Sequence, residues 1–269
     1  MTRFLSVLAL AGIALIAFIH ASFPQGDPTR PYELVAMPHG PAFPGASIKI
    51  VSPAPNETLA SDSVGIIVDL AGFDVAVPTP GDMNMGLAYS KMDPAKPAMP
   101  FGQHVHIIVD NEPYMACYVK GSTFWLPKRL APGLHTLRVF PSRSWHESVK
   151  QPGCFAMENF YVKEVAGTPV DWTKPFVTYS RPKGEYSGAG AKKIMVDFYV
   201  SNCELGEGKY GVRIDVDGVA GSVVRTWQPY VLTGLAPGQH KIAVHLLDPN
   251  NAPVEGAWNA TERTITVKE

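Results

Sequence analysis

The sequence predicts an all-β protein in which two similar β-sandwich domains follow an N-terminal hydrophobic helix, and three observations carry that prediction. First, the 24 glycines and 25 prolines among 269 residues are dispersed between short apolar runs. That is the composition of many short strands joined by tight turns. Second, apolar residues alternate: Val64, Ile66, Val68 and Leu70 share one face, as do Ile194, Val196, Phe198 and Val200. Val212, Ile214 and Val216 face in while Arg213, Asp215 and Asp217 face out, and Ile242, Val244 and Leu246 repeat the pattern. A period of two with one polar face belongs to antiparallel sheets packed on a single side. Third, the chain repeats itself: Leu130-Ala131-Pro132-Gly133-Leu134-His135 matches Leu235-Ala236-Pro237-Gly238-Gln239-His240. The offset of about 105 residues is the size of an immunoglobulin-like or fibronectin-III-like sandwich.

The elements follow in order. Arg3 precedes an uncharged run, Phe4–Ile19, whose apolar character fades towards Phe23. Residues 1–23 are expected to form a single membrane span, with Phe4, Leu8, Leu15 and Phe18 in lipid and Arg3 on the cytoplasmic side. The chain beyond would then stand in the periplasm on the cytoplasmic membrane. The alternative is a signal peptide cut after Ala21, where Ile19 occupies a position that prefers a small residue. Residues 24–46, with Pro24, Pro28, Pro31, Pro38, Pro41 and Pro44, read as a semi-rigid extended arm. The two sandwiches are placed at 47–166 and 167–269, because Val162-Lys163-Glu164 and Val267-Lys268-Glu269 end equivalent strands.

Composition excludes several functions. A net charge of −1 with no basic stripe leaves nothing to attract nucleic acid. Hydrophobic residues at 46% against 17% charged exclude a disordered chain. Cys117, Cys154 and Cys203 are an odd set, so at least one is free within the chain, with a Cys117–Cys154 bridge or buried thiols both open. No phosphate-binding glycine loop, dinucleotide fingerprint, Gly-x-Ser-x-Gly or His-Glu-x-x-His is present, and no catalytic residue is assigned.

Four groups remain as candidate sites. His104-Val105-His106 places two imidazoles on one strand face about 7 Å apart. Such a pair can hold copper or zinc if His146, Cys154, Met115 or Met157 completes it. The ordinary reading is a pair of surface or edge-strand histidines, so no cofactor is expected and copper or zinc is the alternative. His135 and His240 are duplicated with the fold and are expected to serve it. Met83, Met85, Met92 and Met99 lie in a long Pro/Gly-rich loop and suit contact with a partner. Arg143, Trp145 and His146 cluster at a strand exit, and Trp and Arg are the residues that dominate binding hot spots. Ser144, His146 and Glu147 hold catalytic side-chain types but are sequence neighbours rather than a converging triad.

Gly102–Tyr114 (GQHVHIIVDNEPY), Ser142–Lys150 (SRSWHESVK), Tyr179–Tyr186 (YSRPKGEY) and Glu262–Val267 (ERTITV) resemble a family of uncharacterised bacterial exported proteins. Members are sometimes labelled phosphopeptide-binding, which would imply a Ser-Arg-x-His motif. Ser142-Arg143-Ser144-Trp145-His146 has one residue too many, and the flanking Gly-Arg and Asn-Gly elements are missing. The resemblance implies the double sandwich and the bacterial envelope. The resulting expectation is a non-enzymatic subunit that docks on a larger integral-membrane assembly, respiratory or photosynthetic. It would use its anchor, Pro-rich arm and sandwich surface. The alternatives are a copper- or zinc-binding protein and a soluble peptide- or glycan-binding module.

Overall fold

A computed structural model of the chain describes residues 31–76 and 102–269. The hydrophobic segment with Phe4, Leu8, Leu15 and Phe18, the start of the arm, and Met83, Met85, Met92 and Met99 lie outside these residues. Among the described residues no helix is long and apolar enough to cross a membrane. The one helix among the described residues is short: α1, Gly188–Ala191. Residues 31–269 form one compact unit.

The fold is all-β, two sandwiches as the sequence predicts. The N-terminal segment contributes β1 (Glu33–Ala36). The first sandwich contains β2 (Ser47–Ser52), β3 (Thr58–Leu59), β4 (Gly65–Ala71), β5 (His104–Val109), β6 (Met115–Cys117), β7 (Phe124–Trp125), β8 (Gly133–Ser142) and β9 (Ala156–Val162). The second contains β10 (Phe176–Arg181), β11 (Gly184–Tyr186), β12 (Ile194–Ser201), β13 (Gly211–Val216), β14 (Val223–Val224), β15 (Tyr230–Thr233), β16 (Gly238–Leu247) and β17 (Ala260–Val267). The five-stranded sheets are β3-β9-β8-β5-β6 and β11-β17-β16-β13-β14, the same order twice. Even the parallel edge pair recurs, β3 with β9 and β11 with β17. The facing sheets are β2-β4-β7 and β1-β15-β12-β10.

The repeated Pro-Gly motif opens β8 and β16, and alternation does the rest. Ile107 and Val109 sit opposite Val139 and Leu137, and Ile214 and Val216 opposite Val244 and Ile242. Each set faces its own apolar core. Cys117 and Cys154 are free thiols in the first core, turned to the carbonyls of Val119 and Ala46, so the bridge between them is not formed.

Two features depart from the sequence reading. The arm is not merely extended: Glu33–Ala36 pairs antiparallel with Tyr230–Thr233, adding a fourth strand to the second sandwich. Tyr32, Leu34 and Ala36 pack against the second core. The sheet carrying β5 is also not packed on one side only. All six residues of β5 are buried, because its outer face meets the second sandwich through a third apolar cluster of Ile108, Tyr114, Phe140 and Tyr199. Phe155 stacks on Tyr199 at 4.4 Å and Trp227 meets the same ring edge-on at 4.7 Å. Strands buried on both faces lose the polar alternation that a one-sided sheet shows.

Candidate functional site

The junction between the sandwiches gathers the polar side chains of most chemical interest. Strand alternation places His104 and His106 on the outer face of β5, as the spacing predicts. Both are fully buried rather than on a surface or edge strand, because the second sandwich covers that face. His146 joins them from the β8–β9 connection, with its backbone in the left-handed region at φ 68°, a costly conformation for a non-glycine residue. His106 Nε2 lies 2.9 Å from His104 Nε2, and His146 Nδ1 lies 3.0 Å from the same atom. The three nitrogens fall within 4.8 Å of one another. Cys154 and Met115 do not complete the group: both pack in the first core.

Each imidazole has a further partner. His104 Nδ1 is 2.5 Å from the Gly102 carbonyl, and His106 Nδ1 is 3.2 Å from Ser180 Oγ on β10. The Tyr114 ring stacks on His106 at 3.5 Å and its hydroxyl is 3.1 Å from His146 Nδ1. Arg181 donates to that hydroxyl from Nε at 3.0 Å and Nη2 at 2.7 Å, and Lys183 donates to the Tyr114 carbonyl at 2.8 Å. Burial holds the imidazoles neutral. It lowers His104 to about 4, and lowers His106 and His146 well below the usual histidine range, with Arg181 and Lys183 adding repulsion. Burial with repulsion from Arg181 and Arg263 also brings Lys183 down to about 8.

The junction is unusually cationic. Arg138, Arg181, Lys183 and Arg263 converge there and, among the described residues, none forms an ion pair with a carboxylate. Carbonyls, hydroxyls and aromatic faces hold them instead: Arg138 lies over Trp258 at 4.3 Å and Arg263 over Tyr179 at 4.7 Å. Nearby, Lys150 and Asp197 form a fully buried ion pair across the junction, with Ser148 bonded to both.

The Arg143–Trp145 group is placed differently from the sequence expectation of a partner-facing patch. Arg143 and Trp145 are only 5% and 8% exposed, and the chain's own arm covers them. Gly40 N–H donates to the Glu147 carboxylate, Arg143 donates to the Pro41 carbonyl, and the guanidinium lies 4.6 Å from the Phe43 ring. A Cβ on Gly40 would come within 2.6 Å of Arg143 Nε and 2.9 Å of the Trp145 ring, so a larger residue there would displace the guanidinium. Burial by itself would raise Glu147, but His39, Arg143, Lys150 and the Trp145 indole N–H outweigh it and hold its carboxyl low. Ser144, His146 and Glu147 do not converge: Ser144 Oγ is buried without a hydrogen bond, and Glu147 faces the arm.

His135 and His240 are twin clasps. His135 bridges Asp110 Oδ2 at 2.9 Å and the Ala131 carbonyl at 2.8 Å, and His240 bridges Asp217 Oδ2 at 2.7 Å and the Ala236 carbonyl at 2.8 Å. Asp110 and Asp217 both have left-handed backbones, φ 54° and 53°. Both histidines therefore hold turns of the fold, once in each copy.

Sequence reasoning did not single out Tyr114, Ser180, Arg181 or Lys183. All four nonetheless lie in the segments that carry the family resemblance, and those four segments meet at this junction, Arg263 included.

No family model and no curated protein matches the chain. Among solved structures it is similar to the fibronectin(III)-like modules of Clostridium thermocellum CbhA, at 17% identity over 82% of this chain and 94% of that one, TM-score 0.28. It is also similar to the Ig1-2 module of the Drosophila receptor protein tyrosine phosphatase DLAR, at 7% identity over 83% and 100%, TM-score 0.23. A third is SGBP-B of the Bacteroides ovatus mixed-linkage glucan utilization locus, at 13% identity and TM-score 0.23, where the chain covers 83% of itself but 48% of that protein.

Proposed function

We propose that the chain is a non-enzymatic structural or interaction subunit that docks, from the periplasmic side, on a larger integral-membrane assembly of the respiratory or photosynthetic kind. The observation that carries this reading is Trp125, 62% exposed on β7 at the edge of the three-stranded sheet. An exposed indole on a short edge strand is a ready anchor for another protein. The body behind it suits a docking element. Two sandwiches joined by a buried aromatic cluster, a buried ion pair and the arm present one surface without reorganising. The hydrophobic segment before residue 24 supplies the membrane attachment in this reading.

The test is purification of the tagged full chain from its own membranes in mild detergent, with mass spectrometry of the whole eluate. Stoichiometric membrane proteins that fall away in Trp125→Ala, with the N-terminus intact, are the expected result. A lone soluble chain beginning near Ser22 would overturn the reading.

A further inference from the structure

The hydrogen bonds around the three histidines fix where their protons are. Arg181 fills the acceptor side of the Tyr114 hydroxyl with two N–H donors. The phenolic proton must then go to the acceptor it faces, His146 Nδ1 at 3.1 Å. His146 Nδ1 is therefore bare. His104 Nδ1 faces only a carbonyl, Gly102 O, so it carries the N–H and leaves Nε2 bare as well. His104 Nε2 and His146 Nδ1, neither carrying a proton, thus lie 3.0 Å apart with no hydrogen bond between them. His106 Nε2 can donate to one of them but not to both. Ser180, whose hydroxyl can donate or accept, allows His106 to move its own proton to Nδ1 and turn a third lone pair to the same point.

We propose that His104 Nε2, His106 Nε2 and His146 Nδ1 form a three-imidazole copper site that holds the metal as Cu(I). Neutral imidazole is a good ligand for copper and zinc alike, and metal–nitrogen bonds of about 2.0 Å set ligating nitrogens roughly 3.3–3.5 Å apart, so the two close pairs open by a few tenths of an ångström while His106 and His146, the widest pair, draw together. Behind two of the ligands, a carbonyl on His104 Nδ1 and a hydroxyl on His106 Nδ1 are the groups that orient metal-bound histidines, while the Tyr114 hydroxyl, bonded to His146 Nδ1 itself, turns away when the metal binds. Charge selects the oxidation state. Arg181 and Lys183 lie beside the cluster, no carboxylate is bonded to it, and a dication would meet about twice the repulsion that a monocation meets. The left-handed backbone at His146, which is costly to hold, is what brings the third ring over the pair. The site is independent of the docking reading.

The test uses the full chain in mild detergent, titrated anaerobically with Cu(I) against a chromophoric Cu(I) chelator, and with Zn(II) in parallel. X-ray absorption is measured on the copper-loaded wild type. The expected result is one equivalent of Cu(I), a first shell of nitrogen only with imidazole scattering, and weaker Zn(II) binding. Affinity falls roughly a hundredfold or more in His146→Ala, with an unchanged circular dichroism spectrum. Copper lost to the chelator, sulfur in the first shell, or Zn(II) held more tightly than Cu(I) would each overturn the assignment. If His146→Ala does not fold, the wild-type absorption spectrum still decides whether three imidazoles bind the metal.

Discussion

Single residues in this chain often have two jobs assigned by their surroundings rather than by their type. Five of the eight histidines illustrate it. His104, His106 and His146 are stripped of charge by burial, while His135 and His240 are pushed the other way. The hydrogen bond from His135 to Asp110 outweighs burial. At His240 burial opposes the shift, and Asp217 with the Ala236 carbonyl overcomes it. Each clasp has acceptors at both ring nitrogens, so only the doubly protonated ring satisfies both. A raised folded-state value means stabilisation that is complete below about pH 6.5 and fades as pH climbs through that raised value. Melting temperature should therefore fall from pH 6 to pH 8. The double variant His135→Gln/His240→Gln should lose most of that slope, and an unchanged slope would show the clasps are not the titrating groups.

At the scale of elements, β1 is the piece whose position matters most. It leaves the N-terminal segment, completes the second sandwich, and continues through Gly40 and Phe43, which donate to Glu147 and Gln151 of the first. One short stretch therefore touches both halves before the first sandwich begins. Leu34→Ala removes a half-buried side chain from the second core and should cost about 1–2 kcal/mol, less than a fully buried leucine. Hydrogen exchange should accelerate at Tyr230–Thr233, the strand that β1 covers, while β8 and β9 stay protected. Equal acceleration in both sandwiches would mean the strap acts globally rather than on its own edge. This strand was legible only in part. Tyr32, Leu34 and Ala36 do alternate, but four residues among prolines are too few to separate from an extended linker, and their pairing partner lies nearly two hundred residues away.

At the scale of the whole molecule, the junction makes the two sandwiches one body. Lys150 and Asp197 are 1% and 0% exposed and belong to different sandwiches. Asp197→Ala leaves the Lys150 ammonium buried without its carboxylate, which should cost about 3–5 kcal/mol. Calorimetry should then resolve two transitions where the wild type gives one, as the sandwiches uncouple. A single transition at an unchanged temperature would show that the aromatic cluster around Tyr199 suffices without the ion pair.

The sequence by itself determined the fold class, the duplication and the pairing of His104 with His106, because strand periodicity and turn chemistry are local. The equivalence of His135 and His240 was equally visible, since the repeat carries both. What only the tertiary structure decided was which outer faces become inner ones. Alternation says that His104 and His106 share a face but not that a second domain covers it, and Arg143 with Trp145 reads as a free patch until the arm is seen lying on it. His146, Tyr114 and the neighbours Ser180 and Arg181 come from three separate segments, and their convergence depends on how two sandwiches dock. Docking is set by long-range complementarity of surfaces, for which a linear pattern has no period.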